Sequence, residues 1–182
     1  AGGARAGRGA FMEEAGRIKG IYVPGEGGSF PAGDTVRGFP RSVILTPETA
    51  FPETLLIESG RGCPGACAFC LATSIYRPYR PAPVEELCAY LDGLSARVRR
   101  IGLVSTAVAA HPRFGELVES LLERRFEVSF SSLRAEDLDR EKVRLIARAG
   151  TKSVSLAPES GSEEIRFALG KRVEDDVYVD CL

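Results

Sequence analysis

The run Arg61-Gly62-Cys63-Pro64-Gly65-Ala66-Cys67-Ala68-Phe69-Cys70 decides how the rest of this 182-residue chain is read. It follows Leu55-Leu56-Ile57, a short apolar and β-competent stretch, so three cysteines at CxxxCxxC spacing leave the end of a strand. Gly62, Pro64 and Gly65 favour sharp turning, which lets three side chains converge from so short a stretch. Thiolates are the usual ligands of iron–sulfur clusters. A closed structural zinc site normally takes a fourth protein ligand. Cys88 falls on the apolar side of the following helix, and His111 is distant, so neither is a natural fourth partner. A zinc-binding structural or interaction module stays open as the alternative from another class. A four-iron cluster held by three cysteines would leave one iron free for a small molecule.

Downstream of the loop the pattern alternates between strand and helix. Pro83 is placed to open a helix, and Val84, Leu87, Cys88, Leu91 and Leu94 follow at helical spacing. Ile101 to Val104 reads as the second strand, and Leu117, Val118, Leu121 and Leu122 as the next apolar helical face. Phe126, Val128 and Phe130 alternate as a third strand, with Ser131-Ser132-Leu133-Arg134 at its C-terminal edge. Asp137 is expected to cap a helix burying Leu138, Leu145, Ile146 and Ala149, which Gly150 ends. Val154 and Leu156 mark a fourth strand, and Ser160 with Glu163 resembles a capping box for a helix with Ile165, Ala168 and Leu169 inward and Gly170 at its end. The fold class expected is α/β: a parallel (β/α) sheet forming part of a TIM-like barrel, represented by its first four βα units. Four units do not close an eight-stranded barrel. Glu174 to Leu182 reads as the start of another element, so a longer natural protein is expected.

Upstream, residues 1–54 are rich in Gly and Pro, and are expected to form an N-terminal extension or interdomain connector before a barrel domain over 55–182. Met12 to Arg17 suits a brief helix, while Ile21-Tyr22-Val23 and Val43-Ile44-Leu45 suit short strands. The opening Ala1-Gly2-Gly3-Ala4-Arg5 lacks the apolar core of a secretory signal. A cytoplasmic, reducing setting is therefore expected, where thiols stay free to bind metal. A net charge of −1 gives no broadly cationic surface for nucleic acid. No run of apolar residues is long enough for a membrane span.

The cysteine run, with Phe69 before its last cysteine, resembles the CxxxCxΦC motif of the radical S-adenosylmethionine superfamily. The run Ile75-Tyr76-Arg77-Pro78-Tyr79-Arg80-Pro81, with the later Ser-Ser-Leu-Arg and Ala-Pro-Glu-Ser-Gly-Ser stretches, is similar to the subgroup carrying an upstream cobalamin-binding domain. The resemblance implies that Cys63, Cys67 and Cys70 hold a [4Fe-4S] cluster as the catalytic and metal-binding set. S-adenosylmethionine would take the open iron and be cleaved reductively to a 5′-deoxyadenosyl radical. It also implies a one-electron donor such as flavodoxin or ferredoxin, and cobalamin as a partner of the longer protein. Radical methylthiotransfer to tRNA or a ribosomal protein is a narrower alternative. It ordinarily calls for an additional cluster domain, and no further cysteine trio lies upstream.

By the same resemblance the cofactor-binding residues are Phe69, Ser105, Arg134, Glu159 and Ser160. Phe69 would shield the cluster or adenine. Arg134, whose guanidinium is a rigid fork, would pair with the methionyl carboxylate. Glu159 would meet the amino group or ribose, and Ser160 competes between cofactor contact and helix capping. The stretch after the second strand, Val104-Ser105-Thr106, lacks the glycine- and acid-bearing pattern usual there, so backbone carbonyls or Ser105 and Thr106 are expected to substitute. His111, the only histidine, suits an ordinary loop hydrogen bond better than a proton-transfer or cobalamin-facing role. Tyr76, Arg77, Tyr79 and Arg80 read as a proline-stiffened cover for the cluster loop, with stacking on adenine, corrin or nucleic acid as the alternative. Cys88 reads as a buried thiol.

Overall fold

The computed structural model describes residues 7–18, 21–25, 38–94 and 97–181. The chain divides into two compact units, Ala1–Thr35 and Val36–Leu182. The first holds α1 (Arg8–Gly16), which begins earlier than the helix expected from Met12 and buries no side chain. Glu13 and Arg17 pair across one turn at 2.6 Å. The strand expected at Ile21–Val23 does not form. Val23 alone carries an isolated bridge, and Gly25 lies at φ +90°, outside strand geometry.

The second unit runs β1 (Thr54–Glu58), β2 (Gly60–Arg61), α2 (Ala72–Ile75), β3 (Arg80–Pro81), α3 (Val84–Asp92), β4 (Arg100–Val104), α4 (Phe114–Glu123), β5 (Glu127–Phe130), α5 (Arg140–Arg148), α6 (Glu163–Ala168) and α7 (Asp175–Asp180). β1, β4 and β5 form a parallel sheet in that order, with Leu55 opposite Ile101 and Ile101 opposite Val128. β2 and β3 pair antiparallel beside it. This is the parallel α/β arrangement of a partial barrel. The outer edge of β1 is covered from upstream: Ser42 N–H donates to Leu56 O and Glu58 N–H to Pro40 O, both at 2.9 Å. Arg41 thereby makes one antiparallel bridge to Ile57. The strand expected at Val43–Leu45 is absent; Val43 is 90% exposed and pairs with no strand among the described residues.

Strand alternation sorts the faces. Leu55, Ile57, Ile101, Leu103 and Val128 point into the core with Leu87, Leu91, Leu117, Val118 and Leu121. Each buried leucine contributes about 2 kcal/mol by leaving water. Phe114 at the start of α4 packs on Phe130 with ring centroids 5.9 Å apart. The other sheet face, carrying Leu56, Glu58 and Val104, is left for a cavity.

Several expected boundaries shift. Pro83 is the residue before α3 rather than its first, with φ −64°. Asp139, not Asp137, caps α5 by accepting the Lys142 N–H at 2.8 Å. Asp137 closes a 3-10 turn over Ala135–Asp137, so the helix can start only after the extended Leu138. Gly150 ends α5 at φ +90°, as expected. Ser162, not Ser160, caps α6 through the Ile165 N–H. The inward face expected of α6 is also wrong: Ile165 is 52% exposed, whereas Arg166 is 1% exposed. A polar anchor replaces an apolar stripe there, because Val173 and Ser160 present carbonyls to the guanidinium.

The fourth strand expected at Val154 and Leu156 is not formed; residues 151–158 carry no strand. A parallel edge strand is held by burial on its faces, and Val154 here is 45% exposed. Among the described residues no helix is long and apolar enough to cross a membrane.

Candidate cluster and cofactor site

The cysteine loop leaves the C-terminal end of β1 under tight local control. Ser59 is fully buried, donating its N–H to Val104 O at 2.9 Å and accepting from Ala82 N–H at 3.0 Å. Arg61 grips Glu58 with two bonds, Nε to Oε1 at 2.8 Å and Nη2 to Oε2 at 2.6 Å, and this pairing raises the arginine pKa. Gly62 sits at φ +87°, where a Cβ would run into the Tyr76 carbonyl. Its own carbonyl accepts a bond from the Thr106 hydroxyl, joining the loop to the end of β4.

Within the loop, Cys63, Cys67 and Cys70 are free and half-buried. Cys70 N–H donates to Cys67 O at 3.1 Å, and the buried Thr73 hydroxyl donates to Cys70 O at 2.7 Å. Arg77 Nη2 reaches Gly65 O at 3.2 Å. Burial pushes the Cys67 thiol up, while the charges of Arg134 and Lys171 pull it down. Among the described residues no three of Cys, His, Asp and Glu converge closely enough for a single metal ion. A four-iron cube places each cysteine on a different iron, so its ligands stand further apart than those of one ion. Three free thiols on one loop, faced by two cations, are a donor set suited to such a cluster.

The other expected site residues lie on loops after the strands. Arg134 donates Nη1–H to Cys63 Sγ at 3.3 Å and Nε–H to Glu136 Oε1 at 2.9 Å. Ser105 is buried; its N–H donates to Ser131 Oγ at 3.0 Å, and that hydroxyl returns a bond to Ser105 O at 2.9 Å. Glu159 occupies the left-handed region at φ +70°, and its Oε1 accepts from Lys171 Nζ at 3.2 Å. Ser160 braces the same turn, its Oγ accepting from Ser162 N–H at 3.1 Å. Phe69 is 53% exposed rather than packed inside. His111 is a buried structural residue: Arg113 N–H donates to Nδ1 at 3.1 Å, which leaves Nε2–H to donate to Ala82 O at 3.0 Å. Cys88 is half-buried on α3, 3.0 Å from Ser120 Oγ.

A cavity of about 740 Å³ opens on the inner sheet face, lined among others by Leu56, Glu58, Arg61, Val104, Ser105 and Ser132. That is within the range of small-molecule sites. Gly62, the neighbour of Cys63, also lines it. Four groups around the loop were not read from the sequence as site residues: Lys171, Glu136, Asp137 and the Tyr79 hydroxyl. Tyr79 was read as loop cover or a stacking ring, yet its buried hydroxyl has no partner among the described residues, and burial first, then the charges of Asp137 and Cys63, push it up to about 12. Burial likewise raises the Asp137 carboxyl, against the pull of Arg134. Glu136 and Asp137 adjoin Arg134 along the chain, whereas only spatial proximity marks Lys171.

Comparison with known proteins agrees with this geometry. The chain is 32% identical over 149 residues to an uncharacterized protein of Methanocaldococcus jannaschii, covering 80% of this chain and 33% of that protein. It is 28% identical over 100 residues to the ribosomal protein uS12 methylthiotransferase RimO of Pelobacter propionicus, covering 47% of this chain and 22% of the enzyme. A similar fold is found in the cobalamin-dependent S-adenosylmethionine radical enzyme OxsB, at 20% identity and a TM-score of 0.50, over 68% of this chain and 21% of OxsB. The chain thus spans a third or less of the length of each. The family model of the radical SAM superfamily matches residues 57–182, from the end of β1 through α7, and the chain belongs to that superfamily.

Proposed function

We propose that this chain is the cluster- and cofactor-binding portion of a radical S-adenosylmethionine enzyme. Cys63, Cys67 and Cys70 ligate a [4Fe-4S] cluster whose remaining iron binds S-adenosylmethionine. The observation that supports this most is the placement of three free thiols on the loop leaving the first parallel strand, beside a cavity of cofactor size. When bound, the cluster supplies one electron for cleavage of the C5′–S bond, giving methionine and a 5′-deoxyadenosyl radical.

The chain's own residues bind and orient. Ser105, held by Ser131, and Thr106 present polar groups at the end of β4. Glu159, oriented by Lys171, faces the methionyl amino group or ribose, and Ser160 fixes the backbone of that turn. Phe69, exposed beside Cys70, screens the cluster from solvent. The electron comes from a donor protein such as flavodoxin or ferredoxin. Residues 59–84 contain no acid, and neither Arg77 nor Arg80 has a carboxylate partner among the described residues, so this face suits an acidic donor. Cobalamin is a further partner in this reading of the full-length protein, as the cobalamin-dependent enzyme OxsB has a similar fold.

Anaerobic reconstitution of the full-length protein tests the reading. About four irons and four sulfides per chain are expected, with a reduced-cluster EPR signal that changes on adding S-adenosylmethionine. Stoichiometric zinc with no such signal would reject it. The likeness to a ribosomal protein methylthiotransferase keeps methylthiotransfer as the second reading; it would call for an additional cluster and so for more than about four irons per chain.

A further inference from the structure

We infer that Arg134 is a positioning residue for Cys63, and that its N–H···S bond raises the reduction potential of the cluster; this rests on the function proposed above. Cys63 Sγ accepts two N–H donors, Arg134 Nη1 at 3.3 Å and the Gly65 amide at 3.4 Å. Among the described residues the sulfurs of Cys67 and Cys70 have none.

The guanidinium is fixed from both sides. Glu136 Oε1 accepts from Nε at 2.9 Å and also from Nη2, and Asp137 Oδ2 lies 3.7 Å from Nε. The Nε/Nη2 edge is therefore already used by Glu136, and Nη1 is turned to the sulfur. Gly65 makes room for this. A Cβ there would lie 3.1 Å from Nη1 and 3.3 Å from Cζ, tighter than ordinary contact. The side chain is only 18% exposed, so water competes weakly for the bond.

Reduction adds one electron to the cluster and makes or breaks no bond, so the cysteine sulfurs become more negative. An N–H donor on one sulfur, carried by a cation, stabilises that form more than the oxidised one. Hydrogen bonds to sulfur and local charge are among the factors that set iron–sulfur potentials. The Nε edge bound to Glu136 tempers the charge without removing the bond.

The test is an EPR-monitored redox titration of the reconstituted full-length protein, with dithionite as reductant and no S-adenosylmethionine present. Arg134→Gln should keep the wild-type iron content but shift the potential negative; Arg134→Lys, which keeps the charge, should shift it less. An unchanged potential in Arg134→Gln would overturn the inference, and weaker S-adenosylmethionine binding by the same variant in a separate titration would make the residue a carboxylate clamp. If Arg134→Gln takes up no cluster, Glu136→Gln decides. It should load normally and shift the potential positive, and no shift would overturn the inference. A wild-type protein that binds no cluster would instead defeat the underlying function.

Discussion

The Ala68 amide donates to the carbonyl of Leu169 at 2.8 Å, tying the middle of the cysteine loop to the end of α6. Gly170 makes this approach feasible: it lies at φ +75°, and a Cβ there would stand 2.6 Å from Ala66 O. Gly170→Ala is expected to destabilise the protein by about 2 kcal/mol, from left-handed strain plus the displaced loop. It should also release iron faster from the reconstituted protein. Urea unfolding and iron retention through gel filtration check both effects, and wild-type values in both would mean the contact does not hold the loop.

Arg166 joins α6, the Glu159 turn and α7. Its guanidinium serves Val173 O and Ser160 O at 3.0 Å each, binds Asp175, and lies 5.3 Å from the Tyr178 ring centre. Arg166→Met fills similar space but leaves both carbonyls without this donor, at a cost of about 2 kcal/mol or more. Hydrogen exchange should quicken over residues 157–175 and stay unchanged in β1 and β4. Uniform quickening, or none, would contradict this anchoring role.

The cysteines divide by position. Cys63→Ala, Cys67→Ala and Cys70→Ala are each expected to abolish stable cluster binding. Cys88→Ala should retain full iron content, because its thiol meets Ser120 on the helical side of the sheet. Iron and sulfide counts on the four variants check the division, and loss of iron from Cys88→Ala would reopen the ligand assignment.

How far the sequence could be read depended on how local each signal was. Leu55 and Ile57, Leu87 and Leu91, and Leu117 and Leu121 repeat at strand or helix period, so the sheet and its covering helices were legible. The cysteine spacing was legible for the same reason. Val154 and Leu156 show strand composition, but a ladder depends on a neighbour and on burial, and neither is encoded in two residues. Arg166 misled the reading of α6 because its buried partners, Val173 and Ser160, are backbone carbonyls that no side-chain pattern announces. Asp137 and Asp139 are both competent caps; only the 3-10 turn between them and Arg134 selects the second. Glu136 enters the site through its near neighbour Arg134, and Arg134 and Lys171 reach the cysteine loop across distances that spacing along the chain does not carry.

His111 sets a pH dependence that is separate from the cluster. Burial lowers its pKa below the ordinary 6.5, outweighing the opposing bond to Ala82 O. In the folded chain the ring stays neutral, with Nδ1 accepting and Nε2–H donating, whereas the unfolded chain takes up a proton below about 6.5. The unfolded state then binds more protons, so stability is full above that value and falls as pH drops from it toward the lower folded pKa. His111→Gln removes this titration, and its unfolding free energy should be lower at pH 8 yet flatter between pH 7 and 5. Urea titrations of both proteins across that window check the slope. A wild-type curve no steeper than that of the variant would show that the imidazole is not held neutral by its buried loop.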